Sequence, residues 1–131
     1  MRLLLDTHVA LWAVRDAPKL SWRARGLIAD LDNSIYVSVV TLWEIAIKFA
    51  LRKGRPSDMP VSAVNAAAIF QSAGYELLPV LPQHALTVAD LPPARTDPFD
   101  RMLIAQARAE PMRLLTSDAA VAAYGEGIEL I

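Results

Sequence analysis

Four acidic residues lie where a predicted strand ends or a predicted helix begins, namely Asp6, Glu44, Asp100 and Asp118. Carboxylates that converge repel one another and raise each other's pKa unless a positive charge lies between them. A set of oxygen ligands without cysteine or clustered histidine suits Mg²⁺ or Mn²⁺ better than zinc. Such a set can hold one or two ions, which activate a water molecule and stabilise a leaving oxygen. The four residues therefore predict a metal-dependent hydrolytic site.

Asp100 belongs to a helix that is predicted within the stretch from Arg95 to Ala107. Asp97 takes the N-cap position and Pro98 the first helical position, where its missing N–H costs nothing. Asp100 is then the third residue of the helix, and the apolar side chains beyond it bury the remaining turns. Acids in a first turn also suit the helix dipole, so this helix start alone does not separate a metal ligand from a structural acid.

Asp6 and Asp118 each follow an apolar segment that predicts a buried parallel strand. Asp6 comes directly after Arg2–Leu5, and Asp118 comes shortly after Met112–Thr116. Asp118 is also placed to cap the short helix that it opens. Asp6 is harder to explain in structural terms, because its one possible capping duty is to the helix that begins near His8.

Glu44 lies near the start of the third predicted helix, which Thr41 opens after the β-branched strand Ile35–Val39. Thr41 and Glu44 match a capping box, a common structural device and the favoured interpretation of Glu44 taken alone. In open α/β sheets, however, sites form beyond the carboxyl ends of the strands, where all four acids are expected. Four such coincidences at one edge favour a shared site.

The order of the elements predicts the fold class. Strands and helices alternate, with no hairpin signal and no internal repeat, and the later strands are predicted over Glu76–Val80 and Ile128–Ile131. Further helices are predicted over Val61–Ala73 and Gln83–Ala89. A chain of 131 residues has the length of one domain with a real core. We therefore predict a single domain, built as a three-layer α/β/α sandwich around a mainly parallel sheet.

Composition and charge exclude several classes of protein. The chain has no cysteine, which excludes disulfides and thiolate metal sites and agrees with a cytoplasmic location. No uncharged stretch combines the length and apolarity of a membrane span. The net charge is −1, whereas a protein that reads duplex DNA is usually strongly basic. A role with nucleic acid therefore depends on local charge, such as the basic run Lys48, Arg52, Lys53 and Arg55.

Four blocks of the sequence resemble the motifs of PIN-domain ribonucleases, and more narrowly those of VapC toxins from bacterial type II toxin–antitoxin pairs. The blocks are Leu3–His8, Leu42–Lys48, Asp97–Ala107 and Leu115–Asp118. Each is short, but together they are specific and cover nearly the whole chain in order. The resemblance implies a PIN-like fold, metal-dependent cleavage of RNA, a homodimer, and a small cognate antitoxin protein as partner. The apolar segment Val61–Ala73 is one surface for that partner, although ordinary core packing explains it equally well.

The resemblance also implies a role for each acid. Asp6, Glu44, Asp100 and Asp118 would be the catalytic, metal-binding residues, and Asp97 an accessory one. The implied cofactor is Mg²⁺ or Mn²⁺, as one or two ions. The mechanism that follows is in-line attack of an activated water molecule on an RNA phosphodiester.

Five further residues are candidates for supporting the acids or contacting the substrate. The hydroxyls of Thr7 and Thr116 would orient the acids, with ordinary turn and capping roles as an equal alternative. Arg101 would contact substrate phosphate, with an ion pair on the helix surface as an equal alternative. Lys48 and Arg55 are weakly favoured as RNA contacts over a solvated helix end.

Other functional classes are excluded or stay open. A phosphoryl-receiver domain needs a lysine near a late strand, and none follows Lys53. A nucleotide-binding domain needs a glycine-rich loop where this chain has Asp6-Thr7-His8. A non-catalytic RNA- or protein-binding module and a housekeeping RNA-processing nuclease both stay open. His8 is expected to point away from the site, and the three tryptophans to lie in the core or an interface.

Overall fold

The computed structural model describes residues 1–93 and 97–131, so Arg95 and Thr96 of the predicted motif lie outside the described residues. The described residues form five strands and seven helices, with one or two helices between successive strands. In chain order they are β1 (Arg2–Leu5), α1 (Thr7–Arg15), α2 (Trp22–Ala29), β2 (Ser34–Ser38), α3 (Val39–Ala50), α4 (Ala63–Ser72), β3 (Glu76–Leu78), α5 (Pro82–Val88), α6 (Pro98–Ala109), β4 (Arg113–Thr116), α7 (Ala119–Ala122) and β5 (Ile128–Leu130).

The strands form one sheet in the order β3-β2-β1-β4-β5, and every pairing is parallel. The central strand β1 pairs on both sides, with Leu4 opposite Tyr36 of β2 and opposite Leu114 of β4. The chain leaves β1 toward β2 and β3 on one side and later returns to build β4 and β5 on the other. The reversal leaves a crevice beyond the carboxyl ends of β1 and β4, where ligands bind in open α/β sheets.

Both faces of the sheet are covered, which confirms the three-layer α/β/α prediction. Leu3 and Leu5 lie on one face, in a core cluster that includes residues of α1, α2 and α4. Leu4 lies on the opposite face, in a second cluster with α6. All three leucines are fully buried, because side chains alternate across a strand whose two faces are both packed.

The start of α3 differs from the prediction. The helix begins at Val39, and the hydroxyl of Ser38 caps it by accepting the N–H of Val40 at 3.0 Å. The β-branched residues before Thr41 indicated a strand through Val39, but the serine cap ends the strand at Ser38 and starts the helix two residues earlier than predicted. The capping-box interpretation of Thr41 and Glu44 is therefore wrong, because both residues lie inside the helix.

The other element boundaries lie close to those predicted. Asp6, Ser21, Asp97 and Asp118 each cap the helix that follows them. The helix predicted over Val61–Ala73 is shorter, because Ser62 caps it. No helix in the described part of the chain is long and apolar enough to cross a lipid bilayer.

Candidate active site

A cleft of about 230 Å³ opens at the carboxyl edge of the sheet, beyond the ends of β1 and β4. All five acids singled out in the sequence line this cleft, although they come from four separate segments of the chain. The residues that line it are Asp6, Thr7, His8, Glu44, Lys48, Asp97, Asp100 and Asp118. The fold therefore brings five carboxyl groups together with one lysine ammonium group.

Asp6 is buried at the floor of the cleft, where β1 passes into α1. One of its carboxylate oxygens accepts the N–H of Val9 at 2.9 Å and so caps α1. The other accepts the hydroxyl of Thr116 at 2.5 Å. Burial raises the pKa of the Asp6 carboxyl, and these two hydrogen bonds oppose the increase. Asp6 therefore has a capping role and also presents a desolvated carboxyl group to the cleft.

Glu44 points from α3 into the cleft and is buried. Its Oε1 accepts a hydrogen bond from the hydroxyl of Thr7 at 2.7 Å, and its Oε2 accepts one from the ammonium of Lys48 at 2.5 Å. Thr7 also contacts the hydroxyl of Thr41 at 3.0 Å. These contacts hold the carboxylate in one position and neutralise its charge within the protein.

Asp100 shows that the acids act on one another. Its pKa is raised from the usual 3.8 to about 7, first by burial and then by the charges of Asp97, Asp6, Glu44 and Asp118. Asp97 accepts the N–H of Phe99 at 2.8 Å, and Asp118 accepts that of Ala120 at 2.8 Å, so both also act as helix caps. A cation bound beside Asp100 would offset the repulsion from these four negative charges.

The stability of the metal-free protein is expected to fall as pH rises from about 4 to about 7 and then to level off. The folded state holds the Asp100 proton up to about pH 7, whereas the unfolded chain releases it near 3.8. This pKa difference corresponds to about 4 kcal/mol in the free energy of unfolding. Solvent screening of the half-exposed carboxyl reduces the expected change to roughly 1–2 kcal/mol. Urea unfolding in EDTA at pH 5 and pH 8 measures the difference.

Asp100→Asn is the control for this pH dependence, because it removes the titrating group. The variant is expected to lose most of the difference between pH 5 and pH 8. Wild-type stability that rises between these pH values, or an unchanged difference in Asp100→Asn, would contradict the assignment.

The donor set of the cleft suits a hard divalent cation, because its ligating atoms are carboxylate and hydroxyl oxygens. In the present side-chain arrangement, no three histidine, aspartate or glutamate residues in 1–93 and 97–131 are placed to hold a metal ion. In this arrangement both oxygens of Asp6 and both oxygens of Glu44 accept hydrogen bonds. Each carboxylate oxygen has a further lone pair, so the residues still fit a cation in their chemistry.

The structure places the five candidate supporting or substrate-contacting residues in two groups. Thr7, Thr116 and Lys48 contact the acids directly. Arg101 does not reach the cleft, because its guanidinium donates to the carbonyl of Pro92 and the hydroxyl of Tyr124, each at 2.8 Å. Arg55 is also absent from the described residues that line the cleft.

Two residues have positions that the sequence did not predict. His8 lines the cleft, so the expectation that it points away is wrong. Thr41 contacts Thr7 from one turn before Glu44 on the same face of α3. The spacing of Thr41 and Glu44 contained this signal, but the same spacing also matches a capping box.

Thr116→Val is expected to destabilise the protein by about 1–3 kcal/mol, because it removes the hydrogen-bond partner of one buried carboxylate oxygen and of one partly buried N–H group. The hydroxyl of Thr116 donates to Asp6 and also accepts the N–H of Asp118 at 3.0 Å. Urea unfolding measures the loss. Thr87→Val is the matched control, since the hydroxyl of Thr87 donates to the carbonyl of Gln83 in a solvent-exposed hydrogen bond. Equal losses in the two variants would show that the Thr116 contact has no special structural value.

The sequence of the chain identifies the protein family to which it belongs. The family model of the PIN domain matches residues 3–127, almost the whole chain. The chain belongs to the PIN domain family. PIN domains are generally nucleases, and an acid-lined cleft at the carboxyl edge of the sheet suits that chemistry. No curated protein matches this PIN domain in sequence.

Three solved structures share the fold of this PIN domain. VapBC2 from Rickettsia felis, bound to a DNA fragment from its promoter, is 18% identical with a TM-score of 0.71, over 100% of this chain and 98% of that one. DNA-bound VapBC from Salmonella typhimurium is 16% identical with a TM-score of 0.66, and the match covers 100% of this chain and 97% of that one. VapBC-5 from Mycobacterium tuberculosis is 22% identical with a TM-score of 0.62, and the match covers 99% of this chain and 97% of that one. At these identities the likeness shows a common fold along the whole chain.

Proposed function

We propose that this PIN domain is a metal-dependent endoribonuclease that hydrolyses RNA phosphodiester bonds in the cytoplasm. The observation that carries the proposal is the cleft in which five carboxyl groups converge, where burial first and then the neighbouring carboxylates raise the pKa of Asp100 to about 7. Such crowding destabilises the fold unless a positive charge enters, so its presence is better explained by a cation site than by structure alone.

The residues proposed to hold Mg²⁺ or Mn²⁺ are Asp6, Glu44, Asp100 and Asp118, with Asp97 as an accessory acid. A bound divalent cation would stabilise negative charge on the phosphodiester and lower the pKa of a water molecule. The chain contributes the fixed positions of the acids. The hydroxyls of Thr116 and Thr7 orient Asp6 and Glu44, in the way that outer hydrogen bonds commonly orient metal ligands.

Lys48 is the proposed contact for the substrate backbone. Its ammonium lies beside Glu44 in the cleft, and its side chain is more exposed than that of Glu44. With a cation bound beside Glu44, Lys48 would be available to donate to a phosphate oxygen of RNA. Arg55 and Arg101 do not line the cleft, so we assign them no substrate contact.

We further propose that the protein is the toxin of a toxin–antitoxin pair, with a small antitoxin as partner and a homodimer as its own assembly. Support comes from VapBC-5, described as a member of the VapBC family of toxin-antitoxin systems, which shares this fold along nearly its whole length. Exposed apolar side chains, including Trp22, Val64 and Leu86, offer surface for such contacts. Growth arrest on expression, relieved by a short neighbouring reading frame, would distinguish a toxin from a housekeeping nuclease.

The test of nuclease function is the cleavage of total cellular RNA by the purified protein in Mg²⁺ or Mn²⁺. Discrete fragments are expected, and they should vanish in EDTA and in the Asp6→Asn variant. Fragments that persist in both controls would identify a contaminating nuclease. The absence of cleavage in any metal, from folded protein free of a bound inhibitor, would overturn the proposal.

One observation favours a second candidate, a non-catalytic RNA- or protein-binding module on the same scaffold. The ion pair between Lys48 and Glu44 and the hydrogen bonds to Asp6 satisfy these acids without any metal. A binding module predicts RNA or protein binding that does not depend on divalent ions and survives Asp6→Asn. Cleavage that requires metal excludes it.

A further inference from the structure

A second and larger concavity lies beside the acid cleft. It encloses about 840 Å³ between the exposed side of α1, the end of α3 and the loop over residues 56–60. His8, Lys48 and Asp118 line both this groove and the acid cleft. A polymer that lies along the groove therefore runs directly into the acids.

The groove contains a fixed aromatic surface. His8 and Trp12 lie one turn apart on α1, with ring centroids 5.9 Å apart and ring planes inclined at 38°. Trp12 is partly buried and packs against the core cluster that contains Leu3 and Leu5. This packing holds its ring in place. A fixed aromatic ring suits a nucleobase, because stacking uses the π-face that every base has.

Cations flank this aromatic surface. The Nζ of Lys19 lies 5.9 Å from the centroid of the Trp12 ring, and Arg15 lines the same groove. Within residues 1–93 and 97–131, neither Lys19 nor Arg15 forms an ion pair. Two acids also line the groove: Asp118 caps α7, and the Oδ2 of Asp58 accepts the backbone N–H groups of Lys53 and Arg55 at 2.9 and 2.8 Å. Neither acid forms an ion pair with Lys19 or Arg15 in the described part of the chain, so both cations are available to a phosphate backbone.

We propose that this groove binds single-stranded RNA, with a base stacked on Trp12 and the neighbouring phosphates on Lys19 and Arg15. The inference rests on the proposed nuclease function, since it supplies the path by which the substrate reaches the acids. Trp12 is a positioning residue, because it holds a base and does not reach the acid cleft. Unpaired cations, an aromatic ring and continuity with the acids favour RNA over a protein segment as the occupant.

The experiment measures binding separately from cleavage. A fluorescein-labelled single-stranded RNA of about ten nucleotides is titrated with the full chain carrying Asp6→Asn, in Mg²⁺, and its anisotropy is followed. In this background Trp12→Ala is expected to raise Kd about tenfold, and Trp12→Phe to restore most of the affinity. Trp12→Leu retains apolar volume without a π-face, so it should bind as weakly as Trp12→Ala while keeping the fold.

Trp22→Ala is the matched control, because Trp22 is 88% exposed and lies outside the groove. Its Kd should not change. Lys19→Gln is expected to make the salt dependence of the binding constant shallower by about 0.7 in the log–log slope, as for one phosphate contact to a single strand. A duplex of the same sequence should bind without dependence on Trp12, because its bases are already stacked.

Three outcomes would overturn the proposal. The first is equal RNA affinity of Trp12→Leu and the parent chain, and the second is an equal effect of Trp12→Leu on the duplex. The third is unchanged RNA affinity together with a weakened complex with a co-expressed neighbouring protein, which would make the groove a protein-docking surface. If the wild type cleaves RNA and any of these outcomes is found, the proposed nuclease function is still supported and only the RNA-binding role of the groove is rejected. If RNA binding depends on Trp12 but no RNA is cleaved, the role of the groove is supported and the nuclease function is rejected.

Discussion

Replacing Asp100 with asparagine is expected to lower RNA cleavage at least about 100-fold, the effect of losing several kcal/mol of charge stabilisation at the reacting phosphate. The same change is expected to stabilise the metal-free protein by roughly 1–2 kcal/mol at pH 8, because it removes one of five crowded carboxylates. Fragment yield from cellular RNA measures the first effect, and urea unfolding in EDTA measures the second. Opposite effects on activity and stability are typical of a functional site.

Asp90→Asn is the matched control for this variant, since Asp90 is exposed at the end of α5 and outside the cleft. It should leave both cleavage and stability unchanged. Asp6→Asn should also abolish cleavage. Its effect on stability should be smaller, because Asp6 caps α1 and accepts the hydroxyl of Thr116. An Asp100→Asn protein that cleaves RNA at the wild-type rate would remove Asp100 from the proposed site.

Excess Mg²⁺ or Mn²⁺ is expected to raise the melting temperature of the wild type by about 10 °C. A ligand at about 100 times its Kd adds about 2.7 kcal/mol to the free energy of unfolding, and each kcal/mol moves Tm by several degrees in a chain of this size. The physical reason is that a divalent cation replaces the repulsion among Asp6, Glu44, Asp97, Asp100 and Asp118 with attraction. Thermal unfolding followed by circular dichroism, with and without EDTA, measures the shift.

The control for this shift separates binding from general screening by salt. NaCl at matched ionic strength should give a much smaller increase, because the cleft is partly buried and salt screens mainly exposed charges. Asp100→Asn should lose most of the increase, whereas Asp90→Asn should retain it. A wild-type melting temperature that is the same in EDTA and in both metals would count against a cation site in this cleft.

Local sequence signals predicted the elements that depend on their own residues. Asp97 and Pro98 mark the start of α6, and the structure confirms both positions. Apolar runs ending on Asp6 and near Asp118 predicted β1 and β4, since a strand buried on both faces needs a nearly continuous apolar sequence. The alternation of such strands with helices sufficed to predict a parallel α/β sandwich.

The same local signals did not predict the start of α3 correctly. Val39 and Val40 have strand propensity, but the cap at Ser38 and packing against the sheet make them helical. Propensity is a weak preference that tertiary contacts override, and a helix can begin at any residue that satisfies its free N–H groups. The cap at Ser38 therefore removes the capping-box alternative for Glu44, which lies inside α3 as a buried acid.

The sequence by itself predicted that these acids lie together at the carboxyl edge of the sheet, where the structure places them, because strand ends and helix starts are local features. Only the tertiary structure decided their partners. It paired Glu44 with Thr7, turned Arg101 toward Pro92 and Tyr124, and brought His8 to the cleft. Contacts between distant segments depend on how helices pack against the sheet, and side-chain direction follows from that packing and not from spacing along the chain.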